Sequence, residues 1–241
     1  MLPRITARAA FEAEIDALRV REKEHTRAGD AIAAARRRLP MVEVDASLAL
    51  IGPDGPIPLL ETFAGRRQLV AYYHMWYPGE PAEKQCEGCT WYTGQVRELS
   101  HLHSRDVTYA IFCHGPYAES ARYRDFMGLD VPWYSAQDAG EGLLGERHAN
   151  RFFLVSYLRD GDRVFETYWT RGRGVEAMSP SYGLLDLTVF GRQERWEDSP
   201  PGWPQRWGSD DEPHPYRVNG RPIAQWPRLE AGYSDDLTGA A

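Results

Sequence analysis

The chain is poor in cysteine, with three in 241 residues, which excludes a secreted disulfide scaffold. It has no apolar run long enough to cross a bilayer, so a membrane is not expected as a partner. Its first residues, Met1-Leu-Pro-Arg-Ile-Thr-Ala-Arg, lack the apolar centre of a secretory signal. It has no excess of basic charge: 28 Lys and Arg stand against 35 Asp and Glu, a net charge of −7. That balance argues against nucleic acid or an anionic membrane as the main partner. Internal repeats are also missing. The expectation is a cytoplasmic protein whose thiols stay reduced unless a substrate oxidises them.

What is present is enough for a folded core, since 42% of the residues are hydrophobic. Three regions are expected: a helical arm over 1–40, a main domain over 41–198, and a Pro/Trp-rich tail over 199–241. In the arm, Phe11, Ile15 and Leu18 recur at helical spacing from a Thr6 cap, with a break expected at Gly29-Asp30. Residues 42–51 read as a first strand or ribbon and Pro53-Asp-Gly-Pro56 as a turn. Residues 68–76 form a continuous apolar and aromatic run, the pattern of a central strand covered on both faces. A helix over 89–103, a strand over 106–113 and a helix over 117–127 stopped by Gly128 follow. A short strand at 131–135, a hairpin about Asp160-Gly161 and a last helix over 181–190 complete the core. The tail reads as an extended surface wrap with disordered final residues. The order fits an α/β mixed sheet flanked by helices, with the first two core strands parallel, which is the thioredoxin-like plan.

The most informative motif is Cys86-Glu87-Gly88-Cys89, placed after the apolar strand and at the start of a helix. A helix N-terminus offers free N–H groups and a positive dipole end, which stabilise a thiolate, the reactive form of cysteine. Cys86 is the candidate nucleophile and Cys89 the resolving thiol. Glu87 is expected to raise the thiol pKa values and favour reducing behaviour.

Several segments together carry a family resemblance: Phe63-Ala-Gly-Arg-Arg-Gln-Leu-Val, Tyr73-His-Met-Trp-Tyr-Pro, the Cys86-x-x-Cys pair, Arg159-Asp-Gly-Asp-Arg-Val and Tyr182-Gly-Leu-Leu-Asp-Leu-Thr. Over about residues 7–196 the chain resembles a bacterial domain-of-unknown-function family labelled "predicted dithiol-disulfide oxidoreductase". That family is related by fold to the alkyl hydroperoxide reductase and thiol-specific antioxidant proteins. The resemblance implies a thioredoxin fold, redox positions at Cys86 and Cys89, and His74 at the end of the strand before them. Two features depart from thioredoxin itself. No proline precedes the strand facing the dithiol, where Arg147-His-Ala-Asn-Arg151 stands instead, and the loop from Trp76 to Cys86 is long.

His74 is the candidate proton donor near the dithiol, against the reading of a satisfied core histidine. Cys113 and His114 end a strand at the same sheet edge, where open α/β sheets place their sites, with buried packing the favoured reading of Cys113. The aromatics Trp76, Tyr77, Trp91 and Trp133 are the candidate substrate-binding set, against a role in the core.

The leading function is a dithiol–disulfide oxidoreductase, peroxiredoxin-like in its layout. It acts on a disulfide, peroxide or small-molecule substrate, is regenerated by a cellular thiol reductant, and needs no organic cofactor. A non-redox small-molecule-binding protein of the same fold is one alternative. Copper or zinc handling through Cys86, Cys89 and His74 is another, while His101 and His103 are poorly spaced for zinc. A homodimer through the arm or tail is one reading of those segments.

Overall fold

Leu69, Ala71 and Tyr73 point to one face of a strand while Val70 and Tyr72 point to the other, and both sets enter hydrophobic clusters. This is why residues Gln68–His74 (β4) can be apolar almost throughout. The computed structural model describes residues 3–205, 207, 216–218 and 221–233. The chain divides into two units: residues 1–40 with 200–203, and residues 41–199 with 204–241.

The first unit is dominated by one helix, Arg8–Arg36 (α1), about 43 Å long at 1.5 Å per residue. It has no buried residue. Thr6 does not cap it, because the cap position is Ala7 with no side-chain bond. The expected break at Gly29-Asp30 does not occur. A single glycine costs a helix only ~1 kcal/mol, and ion pairs such as Arg19–Asp16 at 2.8 Å stitch its surface.

The second unit holds the site. Its strands, besides β4, are Val42–Val44 (β1), Ala49–Gly52 (β2), Gly55–Pro58 (β3), Val107–Cys113 (β5), Trp133–Ser135 (β6), Phe153–Asp160 (β7) and Arg163–Thr170 (β8). The eight-stranded sheet runs β1-β8-β7-β4-β5-β6-β2-β3. β4 pairs parallel with β5 over seven residues, ending at His74 opposite Cys113. On its other side β4 pairs antiparallel with β7, which forms a hairpin with β8. A parallel pair joined through the Cys-x-x-Cys helix, with an antiparallel hairpin beside the first strand, is the thioredoxin-like plan. Residues 42–51 do not form one ribbon. They split into β1 and β2, which lie towards opposite ends of the sheet.

Helices cover both faces. One face carries Glu87–Gln95 (α2), Tyr117–Met127 (α4) and Pro180–Asp186 (α6), through residues such as Cys89, Tyr92, Tyr123 and Tyr182. The other carries Gly140–Leu144 (α5) and the 3-10 turn Leu59–Phe63. The helix expected over 89–103 is two: α2, then Ser100–His103 (α3). Between them Val96 is extended and Leu99 is buried.

The described part of the tail is not a plain wrap. Arg217–Val218 (β9) and Arg221–Pro222 (β10) form a small hairpin, followed by helix Trp226–Glu230 (α7). The amide of Gln225, fully buried, donates to Ala82 O at 2.8 Å just before the dithiol. The final residues, expected to be disordered, lie outside the described residues. No helix among the described residues is long and apolar enough to cross a membrane.

Candidate active site

Cys86 is the N-cap of α2, with φ −58° and ψ 109°, so its side chain sits where the helix leaves its first N–H groups unpaired. Its sulfur accepts from Cys89 N at 3.5 Å, and its carbonyl accepts from Thr90 N at 2.9 Å. Cys86 is half-buried and Cys89 is sealed at 1% exposure; neither is in a disulfide. The Cys89 sulfur accepts from Tyr72 Oη at 3.3 Å and from Met75 N at 3.4 Å.

These surroundings push the two thiols apart. Hydrogen bonding from the Cys89 side chain, helped by N–H groups of Cys89 and Gly88, holds Cys86 below the ordinary thiol range. Burial, reinforced by the same contact with Cys86, pushes Cys89 well above it. The surroundings therefore favour the thiolate at the more accessible sulfur and the protonated thiol at the buried one. The expected upward effect of Glu87 is present but outweighed by these hydrogen bonds. Arg217 in β9 faces that carboxylate, Nη2 to Oε2 at 3.2 Å, and offsets its charge.

The long loop into the dithiol is fixed by two amide side chains. Asn150 accepts from Trp76 N at 3.0 Å and donates to Trp76 O at 2.7 Å. Gln85, fully buried, accepts from Tyr77 N at 2.9 Å and donates to Tyr77 O at 2.8 Å and Glu80 O at 3.0 Å. Two consecutive residues are thus gripped by separate side chains. Asn150 lies in the segment where thioredoxin has its proline.

His74 is fully buried at the end of β4. Its Nδ1 donates to Met75 O at 2.6 Å, while Nε2 is buried without a partner. Trp133, Tyr123, Trp76 and Tyr72 surround the ring at 5.3–6.4 Å. Burial lowers its pKa to about 4, so the imidazole is neutral near pH 7. Its link to the dithiol runs through Met75, which accepts from His74 and donates to Cys89.

The four aromatics separate by environment. Trp76 and Trp133 are sealed in the core, the latter donating to Ser120 Oγ at 3.1 Å. Trp91 is half-buried, packed on Tyr182 at 4.6 Å and on Tyr216 at 5.3 Å. Tyr77 is 39% exposed, and its hydroxyl pKa is raised by burial and then by the charges of Cys86 and Cys89. Cys113 is buried away from solvent, which pushes its thiol up to about 12. The His114 Nε2 meets Arg151 O at 2.9 Å. Among the described residues no group of three or more His, Cys, Asp and Glu side chains is placed to hold a metal ion. His101 and His103 lie on the separate helix α3.

The family is settled by a match over residues 1–213 to the model described as "Bacterial protein of unknown function (DUF899)". The chain belongs to that family. No curated protein matches it. Among solved structures, a cysteine-to-serine mutant of Xanthomonas campestris peroxiredoxin Q is similar at 10% identity and a TM-score of 0.40, with 61% of this chain and 98% of that one covered. An X. campestris bacterioferritin comigratory protein is similar at 10% identity and 0.39, with 59% and 96% covered. The chemistry open to this family member follows from its own residues.

Tyr72, Gln85, Asn150 and Arg217 belong to the site and were not singled out in the sequence. A signal existed only for Asn150, which stands in the segment lacking the proline.

Proposed function

We propose that this protein is a dithiol–disulfide oxidoreductase with Cys86 as nucleophile and Cys89 as resolving thiol. The observation carrying this reading is the unequal pair: a half-buried sulfur at a helix N-cap whose pKa is lowered, and a sealed one beside it whose pKa is raised. With a disulfide substrate, the Cys86 thiolate attacks one sulfur, and the other departs as a thiolate that takes up a proton. Cys89 then loses its proton and attacks the Cys86 sulfur, closing the Cys86–Cys89 disulfide and releasing the second substrate thiol. Two electrons and two protons pass to the substrate. With a hydroperoxide, Cys86 takes the terminal oxygen as a sulfenic acid and an alcohol or water leaves; attack by Cys89 then releases water. A cellular dithiol returns two electrons and two protons.

His74 acts in this reading as a positioning residue, fixing Met75, whose N–H reaches Cys89. Tyr77, exposed and electrostatically coupled to both sulfurs, is the aromatic a substrate meets. Trp91 packs α2 onto Tyr182 and Tyr216, while Trp76 and Trp133 are sealed in the core cluster that also holds Cys89.

Cys86→Ser should abolish reduction of a model disulfide and of a hydroperoxide. Cys89→Ser should instead trap a mixed disulfide, visible by intact mass. Full turnover in Cys86→Ser would end this reading.

A further inference from the structure

The acidic chain carries a cavity lined by three arginines. Residues of the 146–151 segment, the start of β7 and the end of β8 enclose about 360 Å3, at the low end of the range small-molecule sites occupy. Arg147, Arg151 and Arg171 line it with Glu146, Phe153 and Trp169. Trp169 is 39% exposed, an uncommon placement for so large an apolar ring. One end of the cavity is pre-shaped. The Arg147 guanidinium stands 4.8 Å from the Trp169 ring centre, and Phe153 meets Trp169 edge-on at 6.0 Å.

The charges do not cancel. Arg147 Nη2 is paired with Glu166 at 2.6 Å, leaving Nη1 buried without a hydrogen-bond partner. Arg151 and Arg171 form no ion pair among the described residues, and Glu146 is the one carboxylate among the residues lining the cavity. One positive charge is left over beside an open aromatic face. Guanidinium groups bind carboxylates through directed N–H donors, and an exposed indole offers a flat apolar platform.

We propose that this cavity is a binding site for a small aromatic carboxylate, its ring on Trp169 and its anionic group held by Arg151 and Arg171. A monoanion matches the single excess charge better than a phosphate dianion, and a bare anion leaves the indole uncovered. The proposal stands apart from the dithiol chemistry, because Phe153 lies on the sheet face opposite Cys89.

The test is calorimetric titration of the full chain, reduced, with benzoate and 2-naphthoate. Benzyl alcohol and inorganic phosphate serve as the neutral and ring-free controls. Saturable 1:1 binding of the aryl carboxylates is expected, with both controls at least about tenfold weaker. Arg151→Gln and Arg171→Gln are exposed changes that break no ion pair, and each should weaken binding by roughly fivefold or more. Trp169→Ala should weaken it too, and Cys86→Ser should leave it unchanged. Circular dichroism of each variant verifies folding. The proposal is overturned by no saturable binding up to about 10 mM, by equal affinity for benzyl alcohol or phosphate, or by unchanged affinity in both folded arginine variants.

Discussion

Arg217 and Glu87 are 130 residues apart in the chain and 3.2 Å apart in the fold. Glu87 sits between the two cysteines, where its charge works against a thiolate at Cys86. The arginine comes from the hairpin that follows the main domain, and the neighbouring Arg221 meets Glu83 at 3.1 Å in the same way. The tail is thereby tied to the electrostatics of the dithiol.

The first prediction concerns that pair. Arg217→Ala leaves the Glu87 charge less compensated and should raise the Cys86 pKa. Glu87→Gln should lower it. Because Arg217 acts through Glu87, the double variant should behave like Glu87→Gln alone. The rate of Cys86 alkylation by iodoacetamide as a function of pH reads this directly, since Cys89 and Cys113 are buried. A double variant that instead behaves like Arg217→Ala would show that the tail acts by another route.

The second concerns Asn150, whose amide holds both the N–H and the carbonyl of Trp76. Asn150→Ala deletes two hydrogen bonds and leaves these backbone groups to find other partners. A loss of about 1–3 kcal/mol in unfolding free energy is expected, read from the urea midpoint. Disulfide-reductase activity should fall further than stability does, because the loop carries Tyr77 to the dithiol. Intact stability and intact activity together would show that the loop holds its shape without the amide clamp.

The third concerns a close approach. A Cβ at Gly115 would stand 2.0 Å from Trp76 Cδ1 and 2.3 Å from its Cγ. Trp76 is sealed in the core and cannot swing to solvent without opening it. Gly115→Ala should therefore cost about 1–3 kcal/mol by overpacking. A thermal midpoint indistinguishable from wild type would show that the indole has room to retreat.

The parts of this fold that could be read from the sequence are those whose cause is local. β4 and β5 are apolar on both faces, so their central place shows in composition. Asp160-Gly161 marks its hairpin, and Gly128 stops α4 in the left-handed conformation, φ 57°, that glycine accepts. The Cys-x-x-Cys helix start is local too, which is why Cys86 and Cys89 could be placed. What stayed hidden depends on partners distant in sequence. Nothing within residues 42–52 says that β1 and β2 part towards opposite sheet ends, because each is chosen by its neighbour, β8 or β6. The end of α2 has Gly94 in its last turn, but Val96, where the chain turns extended, is neither glycine nor proline. Tyr72, Gln85, Asn150 and Arg217 became site residues only when the fold brought them to Cys89, Tyr77, Trp76 and Glu87.

The last prediction follows from burying an imidazole. His74 has a pKa of about 4 in the fold, lowered chiefly by desolvation, against roughly 6.5 in an unfolded chain. The unfolded state therefore binds the proton first as pH falls. Stability from this residue is complete above about pH 6.5 and declines until the folded-state value near 4, a total of about 3 kcal/mol. His114, also lowered by burial, adds to the decline in the same direction. His74→Phe keeps a flat ring among Trp133, Tyr123, Trp76 and Tyr72 and removes the titration. Urea unfolding at about pH 7.5 and about pH 4.5 should show wild type losing clearly more stability between the two than the variant does. The carboxylates titrate alike in both proteins, so the difference isolates His74. Equal losses would mean that the buried ring takes its proton without unfolding, and that its unpartnered Nε2 has a route to water.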